Sequence, residues 1–206
     1  MTVGPVGVLA LQGDVREHVA ALAAHGLVTR EVRGRDDLEG LGGLVLPGGE
    51  STTMLRLLEV EDLFGPLRET VQSGVPVLAT CAGLILLAAE VRNPVQRSLD
   101  VVDVTVDRNG YGRQIASGTC PLVGAGPPGT SGVFIRAPRI VRVGAGVEVL
   151  ARRDADPVLV RAGNVLGACF HPELEPDHFA TRLFVAAVRD GKNLPLVPRR
   201  PAQSPW

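Results

Sequence analysis

The chain has 206 residues, 45% of them hydrophobic and 21% charged, which excludes intrinsic disorder and gives enough length for one well-buried domain. Lysine plus arginine (21) nearly cancels aspartate plus glutamate (22), so bulk charge marks neither a nucleic-acid nor an acidic-membrane partner. The segment from Met1 to Leu11 has no basic leader and the most apolar stretch, Val75 to Ala89, is too short to span a bilayer. Cytoplasm is the expected compartment. Function must therefore be sought in a site.

In chain order, Val6 to Leu11 is an apolar run closed by Gln12-Gly13-Asp14, and Val15 to His25 has helical spacing. Val28 to Val32 and Gly43 to Leu46 read as strands, the second stopped by Pro47-Gly48-Gly49. A helix is predicted from Thr52 to Glu61 with Ser51 as its cap, and another from Pro66 to Gln72. Val75 to Ala79 is a β-branched strand, with a helix predicted behind it from Ala82 to Glu90. Buried strands alternating with helices predict a mostly parallel, doubly wound α/β sheet with helices on both faces.

After Asn93-Pro94 the pattern changes. Val101 to Val106, Gly132 to Arg136, Val147 to Arg152, Val158 to Arg161 and Val165 to Phe170 are short strands between glycine, proline and polar residues. That spacing predicts additional antiparallel strands in the C-terminal half. Asp177 to Arg189 is amphipathic and closes a single domain, expected to span residues 1–192. Four prolines in residues 193–206 predict an extended or disordered tail.

Three segments carry candidate chemistry. In Val75-Pro-Val-Leu-Ala-Thr-Cys-Ala-Gly, a strand ends in a turn holding Cys81, and a helix begins behind it. That places the side chain at the carboxyl edge of the sheet, where open α/β folds bind ligands, and aims a helix N-terminus at the sulfur, favouring thiolate. Gly83 is expected to permit the sharp turn. On this segment alone, a small buried hydrophobe is an equal reading. In Ala168-Cys-Phe-His-Pro-Glu, residues two apart in extended backbone share a side, so His171 and Glu173 can face one site; Pro172 is expected to keep the chain from coiling. A carboxylate beside an imidazole serves a general base, although taken alone the segment favours a histidine paired structurally at a strand end. In Leu46-Pro-Gly-Gly-Glu-Ser, two glycines expose backbone N–H groups suited to an oxyanion, or form a plain turn.

Other features are set aside. Gly124-Ala-Gly-Pro-Pro-Gly cannot open a helix and is read as a loop. His18, His25 and His178 have no ligand partners at suitable spacing and are read as surface or packing residues. Cys120 is placed in a polar loop and Cys169 in the core. An odd cysteine count without ligand spacing predicts neither a disulfide framework nor a metal site.

Taken together, the motifs are recognisable. Gly7-Val-Leu-Ala-Leu-Gln-Gly with Glu17-His18, Leu46-Pro-Gly-Gly-Glu-Ser-Thr-Thr, Thr80-Cys-Ala-Gly-Leu-Ile, Arg108-Asn with Tyr111-Gly-Arg-Gln, Gly132-Val-Phe-Ile-Arg-Ala-Pro and Phe170-His-Pro-Glu-Leu occur in order. The chain resembles the glutaminase subunits of pyridoxal phosphate synthase, within the triad glutamine amidotransferases. The resemblance covers about Val6 to Arg189 and implies a class I amidotransferase-like, flavodoxin-like fold. It implies a triad of Cys81, His171 and Glu173, and a glutamine pocket involving Gly49, Glu50, Ser51, Arg108, Ile135 and Arg136. The N–H groups of Gly49 and Ala82 would form the oxyanion site, and Gln12 would face the partner, a barrel-shaped synthase subunit that uses the ammonia to build pyridoxal 5'-phosphate. No metal or organic cofactor is implied for this chain. Two positions depart from the family pattern: Ala79 stands where relatives usually carry glycine, and Gly118 where they usually carry phenylalanine. Other readings on the same scaffold are a glutaminase of another pathway, against which Ile85 stands where glutamine is usual, a thiol peptidase, and a non-catalytic binding subunit.

Overall fold

The computed structural model describes residues 4–111, 117–175 and 177–191. The predicted tail, 193–206, and residues 112–114 of the tyrosine-containing motif lie outside them. The first half contains β1 (Val6–Leu9), α1 (Val15–Ala24), β2 (Thr29–Val32), β3 (Gly43–Leu46), α2 (Ser51–Val60), α3 (Phe64–Gln72), β4 (Val77–Thr80), α4 (Ala82–Leu87) and β5 (Ala88–Arg92). There follow β6 (Val102–Asp107), β7 (Gly118–Pro121), β8 (Val123–Gly124), β9 (Ser131–Phe134) and β10 (Arg139–Val143). The last elements are β11 (Glu148–Arg153), β12 (Asp156–Ala162), β13 (Val165–Ala168) and α5 (Phe179–Asp190).

Strands β1, β3, β4 and β13 are buried along their whole length, as strands covered on both faces must be. Among the described residues eight strands form one sheet in the order β2-β1-β3-β4-β13-β12-β11-β8. The first five run parallel, and β12, β11 and β8 extend the sheet in antiparallel pairing. The expected fold class is therefore observed. The alternation along β3 shows how the two faces are covered. A Cβ on Gly43 would lie 2.7 Å from Val188 Cγ2 of α5, whereas Leu46, three residues on, meets Gly83 of α4. Phe184 and Val188 of α5 are completely buried, each contributing about 1.5–3 kcal/mol of apolar burial. Gly191 ends α5 in the left-handed conformation at φ 58°, as a glycine C-cap does.

Several local expectations change. The predicted helix from Ala82 to Glu90 stops at Leu87. The amides of Leu99 and Val101 take the carbonyls of Leu86 and Leu87, at 2.7 and 3.0 Å, and the chain continues as β5 beside β6. Strands β5, β6 and β10 make a separate three-stranded sheet, and β7 pairs with β9, so not every later strand extends the main sheet. Cys120 belongs to β7, not to a loop. Ser51 does not cap α2. Its first residue is Ser51 itself, and the Glu50 carboxylate accepts the N–H groups of Thr52 and Thr53 at 3.2 and 2.7 Å. No helix among the described residues is long and apolar enough to cross a membrane.

Candidate active site

Parallel strands deliver their carboxyl ends to one edge of the sheet, and four of them carry the candidate residues. Gln12 and Asp14 follow β1, the Gly48-Gly49 turn follows β3, Cys81 follows β4 and His171 follows β13. The β1 and β3 turns are tied together: Asp14 N–H donates to the Gly48 carbonyl at 3.1 Å, and Glu50 N–H donates to Gln12 Oε1 at 2.8 Å. A cavity of about 300 Å³ opens at this edge. Cys81, His171, Gln12, Gly49, Glu50, Ser51, Arg108, Ile135 and Arg136 all line it. Ala82 is completely buried at the start of α4 and Glu173 lies behind His171; neither lines the cavity. A second hollow, of about 420 Å³, lies at the amino ends of β3 and β4 and contains none of the candidate residues.

Cys81 sits at φ 46°, ψ −103°, a conformation that costs a non-glycine residue about 1–3 kcal/mol. The turn is held on both sides: Cys81 N–H donates to the Ala168 carbonyl at 2.8 Å and Gly83 N–H to the Pro47 carbonyl at 3.1 Å. The sharp bend thus belongs to Cys81. Gly83 serves a different purpose, because a Cβ there would lie 2.1 Å from the Leu46 carbonyl oxygen; its absence lets α4 press against β3. Ala79 is buried in extended β4 and has no positive φ, so its methyl brings no strain. Gly118 pairs with Phe134 at φ 150°, with open space where a side chain would start.

His171 Nδ1 lies 2.8 Å from Glu173 Oε1 and 3.3 Å from Asp14 Oδ2. The connecting backbone is not extended, contrary to the expectation from the sequence pattern. Pro172–Leu174 forms a 3-10 turn, and Pro172 opens it because the first residue of a helical turn needs no N–H partner. The coiled backbone still brings carboxylate to imidazole. Burial opposes a charge on His171, but the neighbouring side chains of Asp14, Cys81 and Glu173 outweigh it and raise the imidazole's proton affinity well above the usual range. Its buried Nε2 makes no hydrogen bond among the described residues, which leaves that nitrogen available for proton exchange at the sulfur. Ligand-type atoms of Asp14, His171 and Glu173 lie within 4.8 Å of one another, two of them already paired as Nδ1 and Oε1 at 2.8 Å.

Two residues of this site escape the sequence reading. His18 is buried, not a surface residue, with Nε2 3.1 Å from Thr80 Oγ1 and 3.5 Å from Glu173 Oε1. Burial lowers its proton affinity against the pull of Glu173. Asp14 stands four residues before it, and that spacing on one helix face is the only sequence signal linking the two. His178 is also structural in a specific way: its Nδ1 accepts the Ala180 N–H at 3.1 Å and so caps α5. On the substrate side, Arg108 Nη2 reaches Glu50 Oε1 at 3.1 Å and Thr52 Oγ1 at 2.8 Å. Arg136 takes a positive φ of 43°, and its N–H donates to Ser117 Oγ at 3.2 Å.

Residues 8–190 match the SNO glutamine amidotransferase family. The chain belongs to that family. It is 50% identical over 188 residues to the pyridoxal 5'-phosphate synthase subunit PdxT of Thermotoga maritima, covering 89% of this chain and 99% of the relative. It is 52% identical over 193 residues to the subunit of the same name from Parafrankia sp., covering 92% of this chain and 95% of the relative. A crystal structure of a glutamine amidotransferase superposes with a TM-score of 0.83 at 47% identity, covering 90% of this chain and all of the other. For a family member of this kind, the cavity at the carboxyl edge is where amide chemistry is to be sought.

Proposed function

We propose that this chain hydrolyses L-glutamine to L-glutamate and ammonia through a thioester on Cys81, and delivers the ammonia to a synthase subunit that makes pyridoxal 5'-phosphate. The observation that carries the reading is a strained strand-to-helix cysteine sharing a cavity with an imidazole whose far nitrogen is held by a buried carboxylate. Membership of an amidotransferase family and the name carried by the relatives support the substrate and the partner.

In the mechanism, Cys81 Sγ attacks the side-chain carboxamide carbon of glutamine, and the N–H groups of Gly49 and Ala82 stabilise the oxyanion. Collapse expels ammonia, which takes its proton from His171 Nε2, and leaves a glutamyl thioester. His171 then removes a proton from water as it attacks that thioester, releasing glutamate and the sulfur. Glu173 keeps Nδ1 protonated throughout and stabilises the imidazolium. Arg108 and Arg136 supply the cationic character that an amino-acid carboxylate requires. Gln12, bonded to the turn that carries the oxyanion donor, lies where a docked synthase would adjust it.

The test is Cys81→Ala, assayed for glutamate release with the synthase subunit present and for labelling by a glutamine-like electrophile. Both should vanish while the far-UV spectrum is unchanged. Retained activity with the label on Cys120 or Cys169 would assign the wrong nucleophile.

A further inference from the structure

Asp14 occupies the N-cap position of α1 but makes no side-chain capping bond, although aspartate is a favoured cap. Its carboxylate points elsewhere, with Oδ2 3.3 Å from His171 Nδ1. That nitrogen already faces Glu173 Oε1 at 2.8 Å, so one N–H lies between two carboxylates of unlike environment. The Glu173 side chain is 0% exposed and the Asp14 side chain 39%. The neighbouring backbone makes room for this approach. A Cβ on Gly48 would lie 2.4 Å from His171 Cε1 and 2.6 Å from Asp14 Oδ2, so glycine at 48 lets the second carboxylate reach the ring.

Building on the reading of Cys81 as nucleophile and His171 as its base, we propose that Asp14 is a positioning residue, a second and solvent-facing carboxylate that shares the Nδ1 proton and holds the imidazolium against the Cys81 thiolate. No bond to Asp14 forms or breaks. The Nδ1 proton stays in place while Nε2 exchanges its proton with sulfur and ammonia. Two carboxylates stabilise the cation more than one, and only Asp14 is in contact with solvent. In return, the hydrogen bond to the imidazole holds the Asp14 carboxyl below the usual carboxylate range, against the desolvation that would raise it. The charged and titratable groups around it are His18 and Glu17 on α1, His171 and Glu173 after β13, and Cys81 after β4. Glu50, Arg108 and Arg136 face it from the rest of the cavity lining.

The experiment measures the rate of Cys81 alkylation by iodoacetamide from pH 4 to about pH 11, a window that reaches the raised proton affinity of His171, with mass-spectrometric assignment of the label. This readout needs neither glutamine nor the synthase. An opposite charge this close moves a titration by about 1–3 units, and partial exposure of Asp14 places the effect at the lower end. Asp14→Asn keeps the shape and removes the charge. It should move the alkaline step of the reactivity profile, where the imidazolium gives up its proton, downward by about one unit, with the acid limb not displaced upward. Asp14→Glu should restore most of that step's position, and Glu173→Gln should displace it further than Asp14→Asn. An Asp14→Asn profile that superposes on the wild type, with the label on Cys81, would overturn the proposal and leave the triad reading intact. A label that lands elsewhere in the wild type would overturn both.

Discussion

Gly83→Ala tests whether close contact between α4 and β3 is what holds Cys81 in place. The new Cβ would meet the Leu46 carbonyl oxygen at 2.1 Å and its carbon at 2.7 Å, more than 1 Å inside ordinary contact. The obstacle is backbone, so no side chain can rotate away and α4 must retreat. Overpacking of this kind costs about 3 kcal/mol, offset by roughly 0.5–1 kcal/mol because alanine is the better helix residue. A net loss of about 2 kcal/mol is a sizeable part of a total stability of roughly 5–15 kcal/mol. It should lower Tm by about 4–8 °C in a chain of this size. Gly146→Ala is the matched control, since Gly146 is exposed with nothing within 4 Å of the new Cβ; its stability should stay within about 0.5 kcal/mol of the wild type. Urea denaturation followed by circular dichroism measures both, and glutamate release measures the consequence for the site. Retreat of α4 would stretch the bond from Gly83 N–H to the Pro47 carbonyl and move Cys81, so activity should fall further than stability alone explains. If the two alanine variants were equally stable, the contact argument would be wrong.

Two other outcomes are expected. Arg108→Met should raise KM for glutamine about tenfold or more, the loss of one charge-assisted hydrogen bond of roughly 1.5–3 kcal/mol, with stability nearly unchanged because the bond to the half-exposed Glu50 is a surface pair; an unaltered KM would remove Arg108 from the pocket. His18 and His178 both have lowered proton affinity through burial, so the unfolded chain takes up protons near pH 6.5 that the folded chain refuses. Stability should therefore fall as pH drops below about 6.5, by up to about 1.4 kcal/mol per unit for each proton. His18→Gln should flatten that slope even though it lowers stability at neutral pH, and urea midpoints between pH 5 and 8 would decide.

The parallel core was legible because β1, β3 and β4 are short, mostly apolar runs, each followed by its own turn chemistry: Gln12-Gly13 after β1, Pro47-Gly48 after β3, Cys81 after β4. The same local signals marked the Cys81 turn and the His171 segment that line the cavity. What could not be read depends on contacts distant in sequence. Nothing between Ala82 and Glu90 breaks a helix, and α4 ends only because Leu99 and Val101 claim its last carbonyls. β10 is interrupted by Arg139 and Arg142, which pair with Asp156 and Asp103, so its alternation does not stand out. Ser51 looks like a cap, but the longer Glu50 side chain reaches both amides first. His18 looks like any histidine on a helix until Glu173, far along the chain, is folded against it.

The conformation of Cys81 sets stability and chemistry at odds at a single residue. Its φ of 46° and ψ of −103° belong to a positive-φ region that glycine enters more readily than any other residue, yet glycine has no side chain and would bring no sulfur to the cavity. A library of this chain screened for heat resistance alone should therefore drift toward glycine at position 81, gaining a sturdier protein and losing the thiol. Under the proposed function, the strain at that bend is what presenting a sulfur to the cavity costs.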